Sequence, residues 1–256
     1  MLPRAIRDIR DGLLGLAYPE WCRICNSAVE SCDDGITCAQ CWDNPNVTKL
    51  LRESLCSKCG APLSRSALSS RTAIDDPFTH LCGTCSLFPF TSARAAGVYS
   101  GALEASVLFL KTTPHICTRL RAIICKTLSD HREALEGEVV MPVPLHYLRE
   151  RQRGFNQAAI IARLISREFS LRLDERSVVR AKPTERHRAG MDAADRMQSV
   201  ERAFAVVRPR LIEGVSILLV DDVYTSGSTI SAATKTLLDV GARRVTVLTI
   251  ARAGYR

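Results

Sequence analysis

Four Cys-x-x-Cys pairs, Cys22/Cys25, Cys38/Cys41, Cys56/Cys59 and Cys82/Cys85, crowd the first third of this 256-residue chain and use eight of its eleven cysteines. A Cys-x-x-Cys turn presents two thiolates to one tetrahedral zinc, and two such turns close a four-thiolate shell. Twelve residues (26–37) separate the first two pairs and twenty-two (60–81) the last two, spacings that suit two successive zinc ribbons or knuckles. Gly60 and Gly83 fit the tight backbone that such turns need. A lone pair would equally suit a thioredoxin-like redox centre; four pairs without a surrounding βαβ pattern argue against it. Spacing does not fix the pairing. Sequential pairing is the first choice, while a crossed arrangement (first pair with third, second with fourth) and a single occupied site stay open. Cys117 and Cys125 lie in an apolar helical stretch and read as buried small hydrophobes. His80 and His115 read as surface or loop residues, because four complete cysteine pairs need no further ligand.

The compartment follows from the N-terminus. Leu2, Ile6, Ile9, Leu13 and Leu16 recur at three- and four-residue spacing, one face of a short amphipathic helix. The apolar stretch Leu13–Ala17 is too short for the core of a secretory leader, and Asp8 and Asp11 interrupt the approach to it. No apolar run reaches the roughly 18 residues of a spanning helix. A cytoplasmic protein without membrane insertion is expected, in a compartment where structural disulfides are rare.

The stretch Ile217-Leu218-Leu219-Val220-Asp221-Asp222-Val223-Tyr224-Thr225-Ser226-Gly227-Ser228-Thr229 is the most informative after the cysteines. Its apolar run reads as a buried parallel strand. Two carboxylates follow at the carboxyl end, where open α/β sheets place ligands. A small, hydroxyl-rich turn then enters a helix over 228–240, with Ile230, Ala233, Thr234, Leu237 and Leu238 on one face. Backbone N–H groups of such a turn converge on a phosphate, and the helix dipole favours it. Adjacent acids would repel that phosphate; they suit hydroxyls, a Mg²⁺ ion, or both. A plain strand–turn–helix explains the hydroxyls but not the acids. The chain carries neither a Walker A loop nor a dinucleotide fingerprint.

This is similar to the ribose-phosphate motif of type I phosphoribosyltransferases. Three further segments extend the likeness: Val139-Val140-Met141-Pro142-Val143-Pro144-Leu145-His146, then Arg149, Arg151 and Arg153 running into Gly154-Phe155-Asn156-Gln157, and the terminal Val245–Ala253. With the cysteine pairs, the chain from about Leu13 to Ala253 resembles the ComF/GntX family, which joins a zinc-binding segment to a phosphoribosyltransferase domain and includes members serving DNA uptake in competent bacteria. The resemblance implies an α/β fold with a mostly parallel sheet flanked by helices and a small N-terminal four-cysteine domain, divided as 1–92 and 93–256. It assigns Asp221 and Asp222 to the ribose hydroxyls of 5-phosphoribosyl-1-pyrophosphate (PRPP). Thr225, Ser226, Gly227, Ser228 and Thr229 would cradle the 5-phosphate, and Arg151 and Arg153 would face pyrophosphate. Residues 182–202 resemble the loop that closes over the reactants, with Thr184, Arg186, His187, Arg188 and Arg196 as its polar contacts and Arg186 and Arg188 in catalytic roles. The implied cofactors are structural zinc, in one or two sites, and Mg²⁺ accompanying PRPP. Transfer of phosphoribosyl to an unidentified acceptor with release of pyrophosphate is the first expectation. The second is a non-catalytic, single-stranded-DNA-binding competence protein whose PRPP site is regulatory or vestigial. A third makes the zinc segment a docking surface for a protein partner.

Charge weighs between these. The formal net charge is +8, and two filled four-thiolate sites, each formally −2, lower it to about +4. Between 141 and 215, fifteen Lys/Arg face nine acids, a surplus of six. The cysteine segment 22–85 holds six Lys/Arg against seven acids and is not basic. Trp21 and Trp42 could stack on bases, though packing against the knuckles suits them better. Arg163, Arg167 and Arg172 read as a solvated helix face. The basicity thus belongs to the stretch that would face PRPP, and a small phosphate-rich ligand accounts for it without DNA.

Overall fold

A computed structural model describes residues 20–51, 55–63, 81–82, 85–181 and 203–253. The amphipathic pattern before Glu20, Gly83, His80 and the whole 182–202 loop lie outside the described residues.

Five strands form one parallel sheet in the order β1-β7-β6-β2-β3: β1 (Ser92–Val98), β2 (Val139–Pro142), β3 (Arg172–Leu173), β6 (Ser216–Tyr224) and β7 (Arg244–Arg252). Two short strands, β4 (Val178–Arg180) and β5 (Phe204–Val206), pair antiparallel beside it. The α/β class expected from the sequence is what forms. β6 is buried on both faces because its side chains alternate between two cores. Ile217 and Leu219 join Met141, Val245 and Val247 under helix α6 (Ser228–Asp239), through Ile230, Ala233 and Leu237. Leu218 and Val220 join Val140, Leu248 and Ile250 on the other side. There they meet α2 (Gly101–Leu110), α3 (Thr118–Asp130) and α5 (Gln157–Phe169). A continuous Ile/Leu/Val run is what a strand covered on both faces requires.

The cysteine segment shares these cores. Cys56, Cys59 and Cys85 are at most 1% exposed and pack in the first core with Phe90 and Ala93. Short helix α1 (Ala39–Asp43) sends Trp42 into the second core, its Nε1 donating to the Asp34 carbonyl at 2.9 Å. Arg119 of α3 lies over the Trp42 ring at 5.7 Å and forms ion pairs with Asp34 (2.9 Å) and Asp43. Trp42 therefore packs, though in the core under α2 and α3 rather than on a knuckle, and cannot stack on a base; Trp21, expected to pack likewise, is instead 58% exposed. Trp42→Ala is expected to cost about 3–5 kcal/mol, read as a lower urea midpoint with an unchanged m-value. Cys117 is buried against Gly35 of the first cysteine segment and Cys125 is half-buried, and neither belongs to a four-cysteine group; His115 is exposed.

Between β2 and β6 the connections diverge, β2 leading outward to β3 and β6 leading the other way to β7. The crevice outside the carboxyl ends of two such strands is where open α/β sheets bind ligands.

Candidate functional site

Both sides of that crevice are built locally. On β6 the strand continues through Tyr224, so Asp221 and Asp222 project from the end of the strand itself rather than from a loop. Gly227 adopts φ +77° at the N-cap of α6, and a Cβ there would come within 2.5 Å of the Tyr224 hydroxyl. Only glycine fits. Gly227 offers no side-chain cap, so Ser226 Oγ accepts from the Ser228 N–H at 3.4 Å instead, and a helix N-terminus of this kind leaves further N–H groups for an anion. Ser226 and Ser228 pair their hydroxyls at 2.8 Å and hold the turn closed, while Thr225 is exposed at its tip. The strand–turn–helix reading thus has its structural counterpart, with Thr225, Ser226, Gly227, Ser228 and Thr229 at one helix N-terminus.

On β2 the chain leaves at Val143, whose carbonyl accepts from the Asn156 amide at 3.0 Å. Asn156 also caps α5 by accepting from the Ala158 N–H. Between them α4 (Tyr147–Arg153) ends at Gly154 in the left-handed conformation, and its last turn carries Arg151 and Arg153. Arg153 donates to Gln157 Oε1 at 2.8 Å, and Gln157 Nε2 lies 3.4 Å from Asp222 Oδ2. Arg153 is thereby tied to the acids, whereas Arg151 stands exposed. Arg163 pairs with Glu175, and it, Arg167 and Arg172 are exposed, the solvated face read from the sequence. Arg186 and Arg188 lie outside the described residues.

Two cations join the site that the sequence did not single out. Lys111, at the end of α2, places Nζ 3.6 Å from Asp222 Oδ2. Arg180 of β4 attracts Asp221, while burial and the nearby Arg149 charge hold its own guanidinium below the ordinary value. Burial, then the neighbouring Asp222 charge, pushes the Asp221 carboxyl well above the usual carboxylate range. Burial and mutual repulsion disfavour two charges here. The pair is suited to accept hydrogen bonds from the hydroxyls of a ligand.

The cysteines assemble sequentially. Cys22, Cys25, Cys38 and Cys41 bring their sulfurs within 4.8 Å of one another, as do Cys56, Cys59, Cys82 and Cys85. Measured Sγ–Sγ separations are 3.4–3.7 Å. Four sulfurs about 2.3 Å from one zinc would stand close to that far apart, whereas a disulfide needs about 2.05 Å. Electrostatics agrees. The Cys59 thiol, donating to Cys56, holds Cys56 down to about 4, while burial pushes Cys85 up to about 11 and Cys41 well up. Four thiols this close cannot all ionise alone; a dication lets them. Both groups fit zinc.

No protein-family model matches the chain. It is 36% identical to Competence protein F of Haemophilus influenzae over 117 residues, 45% of this chain and 51% of that protein. Competence protein ComFC of Bacillus subtilis is 32% identical over 119 residues, 45% of each chain. The chain thus matches about half the length of these two relatives. DNA utilization protein YhgH of Salmonella typhimurium is 27% identical over 248 residues, 93% of this chain and 99% of that one. The chain is similar to the ComF and YhgH proteins. Among solved structures, glutamine PRPP amidotransferase from B. subtilis superposes over 58% of this chain and 26% of its own, at 19% identity and a TM-score of 0.33. TT1426 from Thermus thermophilus does so over 51% and 71%, at 19% identity and 0.30. Superpositions this loose carry no weight for the ligand. No described helix is long and apolar enough to cross a membrane.

Proposed function

We propose that this protein binds PRPP in the β2–β6 crevice and transfers its phosphoribosyl group to an acceptor. One observation carries the reading: two carboxylates on a buried strand lead directly into a glycine-closed helix N-terminus, with Lys111 and Arg180 beside the acids and Arg153 tied to Asp222 through Gln157. A ligand with vicinal hydroxyls flanked by phosphates uses all of this. Asp221 and Asp222 accept the ribose hydroxyls, residues 225–229 hold the 5-phosphate, and Arg151 and Arg153 take the pyrophosphate as planar forks. The C1–oxygen bond to pyrophosphate breaks, pyrophosphate leaves with the electron pair, and the acceptor bonds to C1 as it loses its proton. No protein nucleophile is needed; stabilisation of the leaving charge by fixed cations is the catalysis. Asp221 and Asp222 would also hold a Mg²⁺ arriving with PRPP, which supplies neutralisation of the phosphates. Arg186 and Arg188 are assigned by resemblance as further contacts to the leaving group. The cysteine segment to residue 92 serves as a zinc-held platform for the transferase domain.

A cavity of about 500 Å³ lies between the first cysteine segment and α2, lined by Arg23, Ile24, Glu104, Leu108, Phe109 and Thr112 among others. We assign the acceptor there because Thr112 of its lining follows Lys111, whose Nζ reaches Asp222. Pyrophosphate release from PRPP across a panel of nucleobases tests transfer. An active base should lose its effect in Leu108→Arg while PRPP affinity stays within about twofold, as for a distant surface change. Silence throughout the panel with PRPP bound favours a regulatory site.

The names of the relatives support a second reading, a competence or DNA utilization protein that binds single-stranded DNA. Steep salt dependence of single-strand affinity would support it, and a flat response would count against phosphate contacts.

A further inference from the structure

The second cysteine group is wired to the phosphate loop through three side chains. Cys85 opens a 3-10 turn (Cys85–Leu87), and its carbonyl accepts from the Phe88 N–H at 3.2 Å. Phe88 stacks on Phe90 with centroids 5.3 Å apart, and both rings meet Tyr224 edge-on at 6.3 Å. A Cβ at Gly227 would lie 2.5 Å from the Tyr224 hydroxyl and 3.3 Å from Phe88 Cε1. These two rings are therefore the wall against which the phosphate loop is moulded. Arg252 closes the circuit. It is 3% exposed, its guanidinium lies 4.7 Å over the Tyr224 ring, and its Nη1 donates to the Cys59 carbonyl at 2.5 Å.

The knuckle is clamped from the sheet as well. Arg94 Nη2 donates to the Ser57 carbonyl at 2.9 Å, and the Ala93 N–H donates to the Lys58 carbonyl at 2.6 Å. A filled four-thiolate site is formally −2, and two buried guanidiniums at its backbone are what such a charge requires in a dry core. The first group sits elsewhere, against α2 and α3 through Thr48, Trp42 and Arg119.

We propose that metal at Cys56, Cys59, Cys82 and Cys85 positions the phosphate loop through Phe88, Tyr224 and Arg252, so that zinc there and a phosphate ester at residues 225–229 bind with mutual reinforcement. Zinc fixes the spacing of the Cys56/Cys59 and Cys82/Cys85 turns; that spacing fixes the Cys59 carbonyl and the start of the Phe88 turn; those fix the rings behind Gly227. Linkage makes the effect reciprocal. The ligand half rests on the PRPP reading, whereas the structural half does not.

The test is zinc transfer to a chromogenic chelator from the intact protein holding both metals, with and without saturating PRPP or ribose 5-phosphate. Cys22→Ser assigns the two phases. PRPP should slow release from the second site about tenfold, within the usual range of coupling between sites, and leave the first unchanged. Tyr224→Ala and Phe88→Ala should lose the slowing, and Tyr224→Phe, which keeps the ring, should retain it. PRPP binding by calorimetry with no slowing at the second site overturns the coupling and leaves the PRPP reading standing. If neither ester binds, the PRPP reading fails, and hydrogen exchange decides the coupling. Chelation of the wild-type protein should then raise deuterium uptake across 224–229 before β2 and β7 exchange; unchanged uptake there overturns it.

Discussion

Replacing Asp221 and Asp222 together by Asn is expected to weaken PRPP binding at least about 100-fold, since each carboxylate removed forfeits a charged hydrogen-bond acceptor worth about 1.5–3 kcal/mol. The same change at Asp221 alone should stabilise the ligand-free protein. The Asp221 carboxyl is held, by burial and then by Asp222, well above its ordinary 3.8. As pH rises from 3.8 toward that raised range, the folded chain keeps a proton that the unfolded chain has released. Stability conferred below pH 3.8 is therefore lost as pH rises through that window, and Asn, which cannot ionise, escapes the loss. Melting temperatures of wild type and Asp221→Asn should converge at or below pH 3.8 and separate as the pH is raised to neutrality, the variant above. A variant that melts lower at that pH, or a double variant that binds PRPP normally, would contradict the site. The trade is one that binding sites commonly make, with stability given up for a ligand-ready charge.

The second large effect concerns the cysteines. Cys59→Ser should remove one of two zincs and more than about 5 kcal/mol of stability, enough to unfold most domains of this kind, because structural zinc of this type contributes about 10–16 kcal/mol in small modules. Cys59 is 1% exposed in the core beneath α6, so losing the metal there also strands a hydroxyl among Phe90, Met141 and Tyr224. Cys25 is exposed, and its group packs with Val29 and Val47 in a small cluster of its own. Cys25→Ser should likewise lose one zinc but leave the main unfolding transition of the sheet near its wild-type urea midpoint. Metal analysis and urea melts read both. Equal midpoints for the two variants, or two zincs retained in either, would refute this division of labour.

The sequence was most legible where burial is two-sided. β6 declares itself because a strand covered on both faces needs a run such as Ile217-Leu218-Leu219-Val220, and the switch from that continuous run to a 3.6-residue period marks α6. β1 is a harder case. Ser92-Ala93-Arg94-Ala95-Ala96-Gly97-Val98 has the composition of a helix, yet it forms a strand. Its small residues serve close approach: Gly60 abuts the Ala93 carbonyl, and a Cβ at Gly97 would meet the Lys49 carbonyl at 2.5 Å. Contacts with the knuckles override propensity there. β3, β4 and β5 are two or three residues long and carry no period to read.

At the site, the acids and the small-residue loop were legible because their order along the chain is itself the geometry. Lys111 was not, since a lysine after the last turn of a helix is also the commonest solvated residue there. Arg180 was counted only as charge, because what distinguishes it is its position on β4 and its attraction for Asp221. Likewise the tie from Arg153 through Gln157 to Asp222 spans residues 157 and 222, 65 positions apart, and exists only once β2 and β6 are neighbours. Cysteine pairing belongs to the same class: spacing permitted three arrangements, and packing of the knuckles against different cores selected the sequential one.

The most direct test of the central claim is calorimetric titration of the intact, zinc-loaded protein with PRPP in the presence of Mg²⁺. The β2–β6 crevice predicts saturable binding at one site per chain, weakened by added inorganic pyrophosphate and by ribose 5-phosphate, each of which would occupy one half of it. No heat of binding for PRPP under these conditions would contradict the assignment outright.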